Sequence, residues 1–414
     1  MKEAKISVIV CIHNIEPYLP KCIESLLVQS FTNFELILVD NGSPDNCPDI
    51  CDRYASTDNR IKVIHKINEG LLSARKAGLE KAKGKYVAYV DGDDWVDIFY
   101  LETLYKIAKA NDADMTVTGH FKEFDGKIET IKPILSGIFD ESQIRSEILP
   151  KVMYNGRFCQ HGISTYVWNK LFKKELLNEI LFKVPNEIVM GEDAAITYAY
   201  LSISKKIVVS RIPLYYYRQR NDSIVKSIEN PKMEYFRLGL LANFLKTELA
   251  NVLDEENLNR QITFYLYAQI LVRSGGMIYN SSENSYFNPF NVSQNSRVVV
   301  YSSGSFGQHL LSVNSKTRFF KIVKWMDIDF HEISIDGNYV EPLGPINDEE
   351  FDHLIIASVN PLLYEPIRTE LKLMGIDERK IAEINTNESD IAELLDKLGY
   401  DENFRYHLNE ESKL

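Results

Sequence analysis

Short apolar runs alternate with amphipathic stretches through residues 5–110. The apolar runs predict four β-strands, at Ile6–Val10, Glu35–Val39, Lys62–Ile64 and Tyr86–Val90. The stretches between them carry apolar residues at helical spacing and predict helices over Leu19–Gln29, Pro48–Ser56 and Leu71–Lys83. Strands that alternate with helices indicate an α/β fold with a mostly parallel sheet and flanking helices. Such sheets bind ligands beyond the carboxyl ends of their strands, which is where Asp40 and Asp91 stand.

The rest of the chain divides by pattern into further segments. Residues 120–225 are less regular and rich in aromatic side chains, whereas Met233–Leu249 and Asn257–Ile278 have helical periodicity. A Ser- and Asn-rich stretch at 280–295 predicts a linker, and a second α/β unit follows with strands at Val298–Tyr301, Lys321–Met326 and Leu354–Ala357. We therefore expect a larger α/β domain over 1–228, a helical segment with linker over 229–295 and a smaller α/β domain over 296–385. A charged tail, helical or loosely ordered, is expected over 386–414.

Composition narrows the classes of function. The 414 residues carry a formal net charge of −12, and nucleic-acid binding is excluded because it requires an excess of Lys and Arg. Five cysteines in so long a chain do not predict a disulfide framework. The N-terminus lacks the pattern of a signal peptide, and no apolar run reaches the length of a membrane span. We expect a cytoplasmic protein, with peripheral contact at the inner face of the membrane and oligomerisation left open.

The strand at Tyr86–Val90 ends in Asp91-Gly92-Asp93-Asp94-Trp95. Three carboxylates so close together repel one another unless a cation neutralises them. Oxygen ligands of this kind suit Mg²⁺ or Mn²⁺, which take one or two protein carboxylates and complete their shell with phosphates and water. An EF-hand does not fit, because Trp95 and Val96 stand where its third acidic ligand and its turn glycine belong. The alternative interpretation is a solvated acidic turn.

Two other stretches point to a phosphate ligand or to ordinary local structure. Asp40 begins a turn that contains Gly42-Ser43-Pro44, directly after a predicted strand. Asn68-Glu69-Gly70 precedes a predicted helix whose N-terminal amide groups, with Arg75, are suited to bind phosphate. Taken singly, the first stretch is equally consistent with a turn and the second with the start of a helix.

Taken in order, these motifs resemble the family 2 glycosyltransferases with the GT-A fold. The resemblance covers residues 5–225 or so. The segments that carry it are Val8–Asn14, Val39–Ser43, Asn68–Gly70, Ala74–Lys76, Asp91–Trp95, Val167–Phe172, Gly191–Asp193 and Tyr217–Ile224. The sequence departs from the family pattern at Cys11, His13 and Asn41, where the family has Pro, Tyr and a second Asp. Because these departures touch the pocket for the nucleotide base, the base is less firmly implied than the reaction.

The resemblance implies a role for each matching residue. Asp40 would accept a hydrogen bond from the base, and Asn68 would lie in the same nucleotide-sugar site. Asp93 would be the main metal ligand, while Asp91 would contact the ribose or share the metal. Arg75, Arg218 and Arg220 would lie near the diphosphate. His13 is either a direct donor contact or a histidine of the pocket wall.

The implied reaction is inverting transfer of a hexosyl group from a UDP-sugar, with Mn²⁺ or Mg²⁺, to a glycan or lipid-linked glycan. The cation stabilises the departing nucleoside diphosphate, and a carboxylate takes the proton of the acceptor hydroxyl. The resemblance assigns that role to Asp193, next to Glu192; the alternative for this pair is a helix N-terminus with acids in its first turn. The implied setting is synthesis of a bacterial surface polysaccharide.

The second α/β unit carries an incomplete dinucleotide fingerprint, Ser302-x-Gly304-x-x-Gly307, with Asp327 at the spacing of a ribose-binding acid. The glycines are equally explained by tight packing of a helix on a strand. This unit resembles the Rossmann-like domains attached to some polysaccharide-biosynthesis proteins. Two rival functions stay open: an NAD(P)-dependent oxidoreductase built on this unit, and a non-catalytic protein that binds nucleotide sugars or glycans.

Overall fold

The computed structural model describes residues 4–124, 126–219, 230–281, 283–328, 334–344, 346 and 350–406. These residues form two compact units. The first comprises the described parts of Met1–Val152, His161–Ser223 and Asn243–Leu258, and the second those of Met153–Gln160, Ile224–Ala242 and Asn259–Leu414. Across the described ranges, no helix combines the length and the apolar character needed to cross a membrane.

The first unit holds ten strands and seven helices within its described residues. The strands are β1 (Ile6–Ile12), β2 (Phe34–Asn41), β3 (Ile61–Lys66), β4 (Tyr86–Asp91), β5 (Trp95–Val96), β6 (Met115–Phe124), β7 (Lys127–Ile131), β8 (Gly137–Asp140), β9 (Lys170–Lys173) and β10 (Lys206–Arg218). The helices are α1 (Leu19–Leu27), α2 (Cys47–Thr57), α3 (Leu71–Lys81), α4 (Tyr100–Asn111), α5 (Glu141–Gln143), α6 (Lys174–Leu181) and α7 (Glu192–Ile203). Every strand and helix predicted before residue 91 is present, with boundaries shifted by a few residues.

The sheet of this unit has a parallel half and a mixed half. Strands β3, β2, β1 and β4 lie side by side in that order and are all parallel. The central strand β1 is apolar along most of its length because both of its faces are covered. Its residues Val8 and Val10 belong to the core shared with α1, whereas Ile9 on the opposite face packs against Gly78 of α3.

The mixed half is built by residues 115–218, the region that the sequence pattern left irregular. Strand β9 runs antiparallel between β4 and β6, and the long strand β10 pairs in parallel with β6. The short strand β5, directly after the acidic motif, pairs antiparallel with Tyr215 and Tyr216 of β10. Strand β10 therefore brings the end of this region beside the motif.

The second unit contains a two-stranded sheet of β11 and β12 and a larger sheet in the order β15-β16-β14-β13-β17-β18. Among the described residues of the larger sheet, β15 pairs antiparallel with β16, and the other neighbouring strands are parallel. The strands of the second unit are β11 (Ile278–Asn280), β12 (Ser285–Phe287), β13 (Arg297–Tyr301), β14 (Lys321–Asp327), β15 (Ser334–Ile335), β16 (Asn338–Pro342), β17 (His353–Ile356) and β18 (Ile381–Ala382). The remaining helices are α8 (Pro231–Leu249), α9 (Glu255–Ser274), α10 (Ser305–Thr317), α11 (Tyr364–Leu373) and α12 (Glu388–Leu398), and the division between the units falls within α8 and α9.

The predicted fold class is confirmed, since a large sheet with flanking helices is accompanied by a second, smaller α/β sheet. One detail differs from the expectation. The predicted linker at 280–295 contains β12, which pairs with β11 as a small hairpin. The charged tail, expected to be helical or loosely ordered, contains α12, which buries Ile391, Leu395 and Leu398 along one face because they recur at helical spacing.

Candidate active site at the carboxyl ends of the parallel strands

Two carboxylates flank the end of the central strand. In the sheet register Ile12 of β1 is paired with Asp40 of β2, and Cys11 is paired with Asp91 of β4. Because these strands are parallel, both acids lie at one edge of the sheet. This is the edge where the alternation of strands and helices predicted a ligand site.

Asp40 is buried and held from two sides. Its Oδ1 accepts a hydrogen bond from the backbone N–H of Ser43 at 3.1 Å, and its Oδ2 lies 3.1 Å from Nδ1 of His65. The other ring nitrogen of His65 lies 3.2 Å from Asp52. The hydrogen bond to Asp40, followed by the one to Asp52, raises the pKa of His65. Sequence reasoning missed His65, although its place at the end of the third strand, in register with Asp40, was the available signal.

A second network joins His13, Asn41 and Asn68. Asn41 is buried, and its Nδ2 donates to Oδ1 of Asn68 at 3.0 Å while its Oδ1 accepts from Lys66 Nζ at 3.1 Å. Since Asn68 Nδ2 lies 3.3 Å from His13 Nε2, that nitrogen accepts, and Nδ1 of His13 donates to the Asn41 carbonyl at 3.1 Å. The departures from the family pattern at His13 and Asn41 therefore contact each other and fix the loop that carries Asn68.

Gly42 allows this loop to approach. Its φ is +68°, and a Cβ atom placed on it would lie 2.8 Å from the backbone nitrogen of Asn68. Both the positive φ and the close contact exclude a larger residue without rearrangement.

The three carboxylates of the acidic motif have different surroundings. Asp94 is buried and turned into the protein, where its oxygens accept from the Tyr215 hydroxyl and from the Arg218 backbone N–H, each at 2.7 Å. The Tyr215 hydroxyl also accepts from the Asp91 backbone N–H at 3.0 Å. Asp91 and Asp93 are partly exposed, so they are the members of the motif that can reach a bound cation.

Arg75 joins the acidic motif to the start of α7. Its side chain is only 2% exposed, and its guanidinium nitrogens lie 2.6 Å from Asp193, 3.1 Å from Glu192 and 4.0 Å from Asp91. The structure thus surrounds Arg75 with carboxylates, whereas the resemblance placed it near the diphosphate. Glu192 and Asp193 lie more than 100 positions from Arg75 along the chain, and no local motif signals their pairing with it.

The acids around Arg75 outnumber it, and their protonation reflects this. Burial, together with the charges of Asp193 and Asp93, raises the pKa of Asp91 to about 7. Burial and the charge of Asp193 likewise raise the pKa of Glu192 to about 7. One guanidinium therefore does not compensate the negative charge of this cluster, and a further cation would relieve it.

Asp193 stands in the first turn of α7, after Gly191 at a φ of +79°. Its Oδ1 meets Arg75, and its Oδ2 accepts from the backbone N–H of Val167 at 3.3 Å. The side chain keeps 19% exposure, while its Oδ1 is buried. The interpretation as a helix-start acid is thus correct in position but incomplete, because Asp193 also belongs to the acidic cluster.

The resemblance also placed Arg218 and Arg220 near the diphosphate. Arg218 donates from Nε to the Asp93 carbonyl at 2.8 Å, and its guanidinium lies 4.7 Å from the ring of Trp95 and 5.0 Å from that of Tyr18. Arg218 therefore helps to hold the backbone of the acidic motif in place. Arg220 falls outside the described residues.

The glycine fingerprint of the second unit has a packing explanation. A Cβ atom on Gly307 would lie 2.2 Å from the carbonyl oxygen of Ser302, so glycine is required for α10 to approach the preceding loop. The carboxylate of Asp327 accepts from the backbone N–H and the hydroxyl of Ser303 within the unit itself. These contacts give the oxidoreductase hypothesis no support.

A parallel sheet with acids at the carboxyl ends of its strands is typical of an α/β protein that binds a ligand at that edge. Comparison with known proteins identifies the family. Residues 7–181 match the family model "Glycosyl transferase family 2". "Glycosyltransferase GlyG" of Streptococcus pneumoniae is 35% identical over 54% of this chain and 73% of its own length. The chain belongs to glycosyltransferase family 2.

A second relative and a solved structure are also similar to this chain. "Putative glycosyltransferase EpsH" of Bacillus subtilis is 30% identical over 56% of this chain and 66% of its own length. The chain thus spans just under two thirds of that relative. The crystal structure of S. aureus TarS 1-349 in complex with UDP-GlcNAc covers 64% of this chain and 72% of its own, with 21% identity and a TM-score of 0.50. That likeness shows a shared fold.

Proposed function

We propose that this chain is an inverting, metal-dependent glycosyltransferase that moves a hexosyl group from a UDP-sugar to an acceptor hydroxyl. The observation that carries the proposal is the meeting of Asp91, at the end of a parallel strand, with Asp193, at the start of α7, around the single guanidinium of Arg75. Direct displacement requires a group that stabilises the leaving diphosphate on the donor side and a base for the acceptor hydroxyl, and these two acids are our candidates for the two roles. Membership of family 2 supports the same reaction class.

A divalent cation fits the residues on the donor side. Asp93 and Asp91 supply oxygen atoms, the ligands that Mg²⁺ and Mn²⁺ prefer. The pKa of Asp91 is raised first by burial and then by the negative charges of Asp193 and Asp93. Among the described residues, no group of three or more His, Cys, Asp or Glu side chains is placed to hold a metal ion. Mg²⁺ is usually bound by one or two protein carboxylates together with substrate phosphates and water. When bound, Mn²⁺ or Mg²⁺ would supply electrostatic stabilisation of the departing diphosphate.

The donor's nucleotide is assigned to the edge between Asp40 and Asn68. Asp40 keeps acceptor capacity beyond its bonds to Ser43 and His65, because a carboxylate offers about four lone-pair positions. Such an acceptor matches the ring N–H of uracil, and the shared fold with TarS, which was solved with UDP-GlcNAc, motivates a UDP-sugar. His13 and Asn68 are engaged with each other, so we assign them to shaping this pocket.

Asp193 is assigned as the general base. In its ionised form it accepts the proton of the acceptor hydroxyl as the new glycosidic bond forms. The guanidinium of Arg75 lies 2.6 Å from Oδ1 of Asp193 and holds that oxygen in place. We propose this role for Arg75 in place of direct diphosphate binding, since its buried guanidinium is already surrounded by acids. The acceptor we propose is a glycan or lipid-linked glycan in the synthesis of a bacterial surface polysaccharide.

The decisive experiment combines a panel of nucleotide sugars with the Asp193→Asn variant. The wild type should release UDP from one member of the panel only when Mn²⁺ or Mg²⁺ is present. Asp193→Asn keeps the size of the side chain but removes the basic carboxylate, so transfer should fall by roughly 10²–10⁴-fold while calorimetry shows unchanged UDP affinity.

Asp112→Asn is the matched control. Asp112 is an exposed acid that ends α4 at a φ of +46°, a conformation that Asn also tolerates. This variant should retain wild-type transfer. Near wild-type transfer by Asp193→Asn would refute the assignment of the base, with Glu192 as the next candidate. Loss of UDP binding in Asp193→Asn would move this acid to the donor site.

A further inference from the structure

The segment Val167–Phe172 contains a lysine in the interior of the first unit. Lys170 is fully buried, and its Nζ donates to the Ser164 carbonyl at 2.8 Å, to Asn169 Oδ1 at 2.9 Å and to the Tyr166 carbonyl. Burial lowers the pKa of Lys170 to about 7, which reflects the cost of placing an ammonium group here. An apolar side chain of similar volume would fill the space without that cost. Filling the core therefore does not explain a lysine at this position.

The hydrogen bonds of Lys170 lead to Asp193 through a single peptide group. The carbonyl oxygen of Tyr166 accepts from Lys170, and the N–H of the same peptide group, which belongs to Val167, donates to Oδ2 of Asp193 at 3.3 Å. Hydrogen bonds in series polarise one another, so a cationic donor at the carbonyl makes the N–H a stronger donor. The ammonium group thus acts on the carboxylate without contacting it.

The same segment is attached to the helix that carries Asp193. The Thr197 hydroxyl, one turn further along α7, donates to the Thr165 carbonyl at 2.7 Å. Asn169 adds a bond from its Nδ2 to the Ser164 hydroxyl at 3.2 Å. Residues 164–167 are therefore held by Lys170 and Asn169 on one side and by α7 on the other, with the Val167 N–H directed at Asp193.

We propose that Lys170 is a positioning residue for Asp193: through the Tyr166–Val167 peptide group it holds one carboxylate oxygen of the base against the pull of Arg75 on the other. This inference rests on the proposed function, since it takes Asp193 to be the base. Without Lys170 the N–H of Val167 is a weaker donor and the segment is less firmly held. The carboxylate then turns toward Arg75, and its reactive oxygen leaves the direction of the acceptor.

The test is Lys170→Met, which keeps length and volume but removes all donors. We expect kcat for transfer to fall about tenfold to a hundredfold, the effect of losing one hydrogen bond to a charged group, while UDP affinity stays within about twofold. The acidic limb of the pH profile of kcat should move to higher pH, because a carboxylate that loses a donor is protonated more easily. Lys170→Arg keeps a cationic donor and should restore part of both.

Lys174→Met is the matched control. The Nζ of Lys174 also donates to a backbone carbonyl, that of Ala82, but this bond has no link to Asp193. The control should lose stability without any shift of the pH profile. If Lys170→Met and Lys174→Met have the same kcat and the same pH profile, Lys170 is only a structural residue and the inference is wrong.

A measurement that does not use Lys170→Met keeps the inference testable if that variant does not fold. In protein labelled with ¹⁵N-valine, the Val167 amide signal, assigned by its loss in Val167→Ile, should move in Asp193→Asn. An unmoved signal would overturn the inference. The two proposals also fail differently: near wild-type transfer by Asp193→Asn refutes the base, whereas inactive Asp193→Asn with control-like Lys170→Met refutes only the role of Lys170.

Discussion

Arg75 compensates the acidic side of the site, and replacing it with methionine measures how much the fold relies on it. The guanidinium is 2% exposed, and its partners Glu192 and Asp193 are 12% and 19% exposed. Removing one partner of a buried ion pair costs about 3–5 kcal/mol, because the remaining charges stay buried without compensation. Since these acids retain some solvent, we expect Arg75→Met to lose about 3 kcal/mol of unfolding free energy near neutral pH.

The loss should depend on pH in a defined direction. The pKa values of Asp91 and Glu192 are raised to about 7 in the folded protein, above the ordinary values of 3.8 and 4.5 for these side chains. Such groups favour the folded state at low pH, and that contribution is lost as pH rises through the folded pKa. Without Arg75 both pKa values rise further. The penalty of Arg75→Met is therefore smaller near pH 5, where these acids are protonated, than near pH 8.

Urea unfolding in the presence of chelator, near pH 5 and near pH 8, checks this. With a slope of about 2–3 kcal/mol per molar urea, the expected loss near pH 8 lowers the midpoint by roughly 1 M. Arg53→Met, at an exposed position of α2, is the control and should change stability by less than about 0.5 kcal/mol. An equal penalty at both pH values, or one below about 1 kcal/mol near pH 8, would contradict the proposed electrostatic role.

Three further predictions concern other parts of the chain. Asp93→Ala should keep the fold but lose metal-dependent UDP binding and turnover; full affinity with Mn²⁺ in calorimetry would exclude Asp93 as the main ligand. Gly42→Ala should lower the melting temperature and weaken UDP binding, because its φ of +68° and the 2.8 Å approach to Asn68 strain any side chain. Calorimetry of the whole protein with NAD and NADP should show no binding tighter than roughly 1 mM; micromolar binding with cofactor reduction would favour an oxidoreductase.

The parallel half of the fold was predictable because its signals are local. Each strand there is a short apolar run with a polar residue at its end, so the sequence alone placed Asp40 and Asp91 at the site edge. The mixed half has no such signal. Its strand β9 is defined by partners far along the chain, for example Phe172 opposite Met115, and its four residues give no periodicity to detect.

The residues of the candidate site could be proposed from the sequence, but the contacts among them could not. The order of motifs brought Asp93 and Asp193 into one hypothesis, and the structure places their segments on the two sides of Arg75. The engagement of Arg75 by acids, and of Asp40 by His65, depends on tertiary approach and leaves no mark in local sequence. The sequence also did not show that Asp94 is buried and hydrogen-bonded to Tyr215, because nothing in its spacing separates it from the other two acids of the motif.

The hydrogen bond between Asp94 and Tyr215 also has a consequence for folding during translation. The two residues are 121 positions apart, so the ribosome finishes the acidic motif long before it delivers β10. At roughly 5–20 residues per second, the interval is about 6–24 s. During that time a nascent chain can pair β1 to β4, but Asp94 lacks the hydroxyl and the amide that later hold it. The loop that carries the acidic motif thus reaches its final conformation only near the end of synthesis of the first unit.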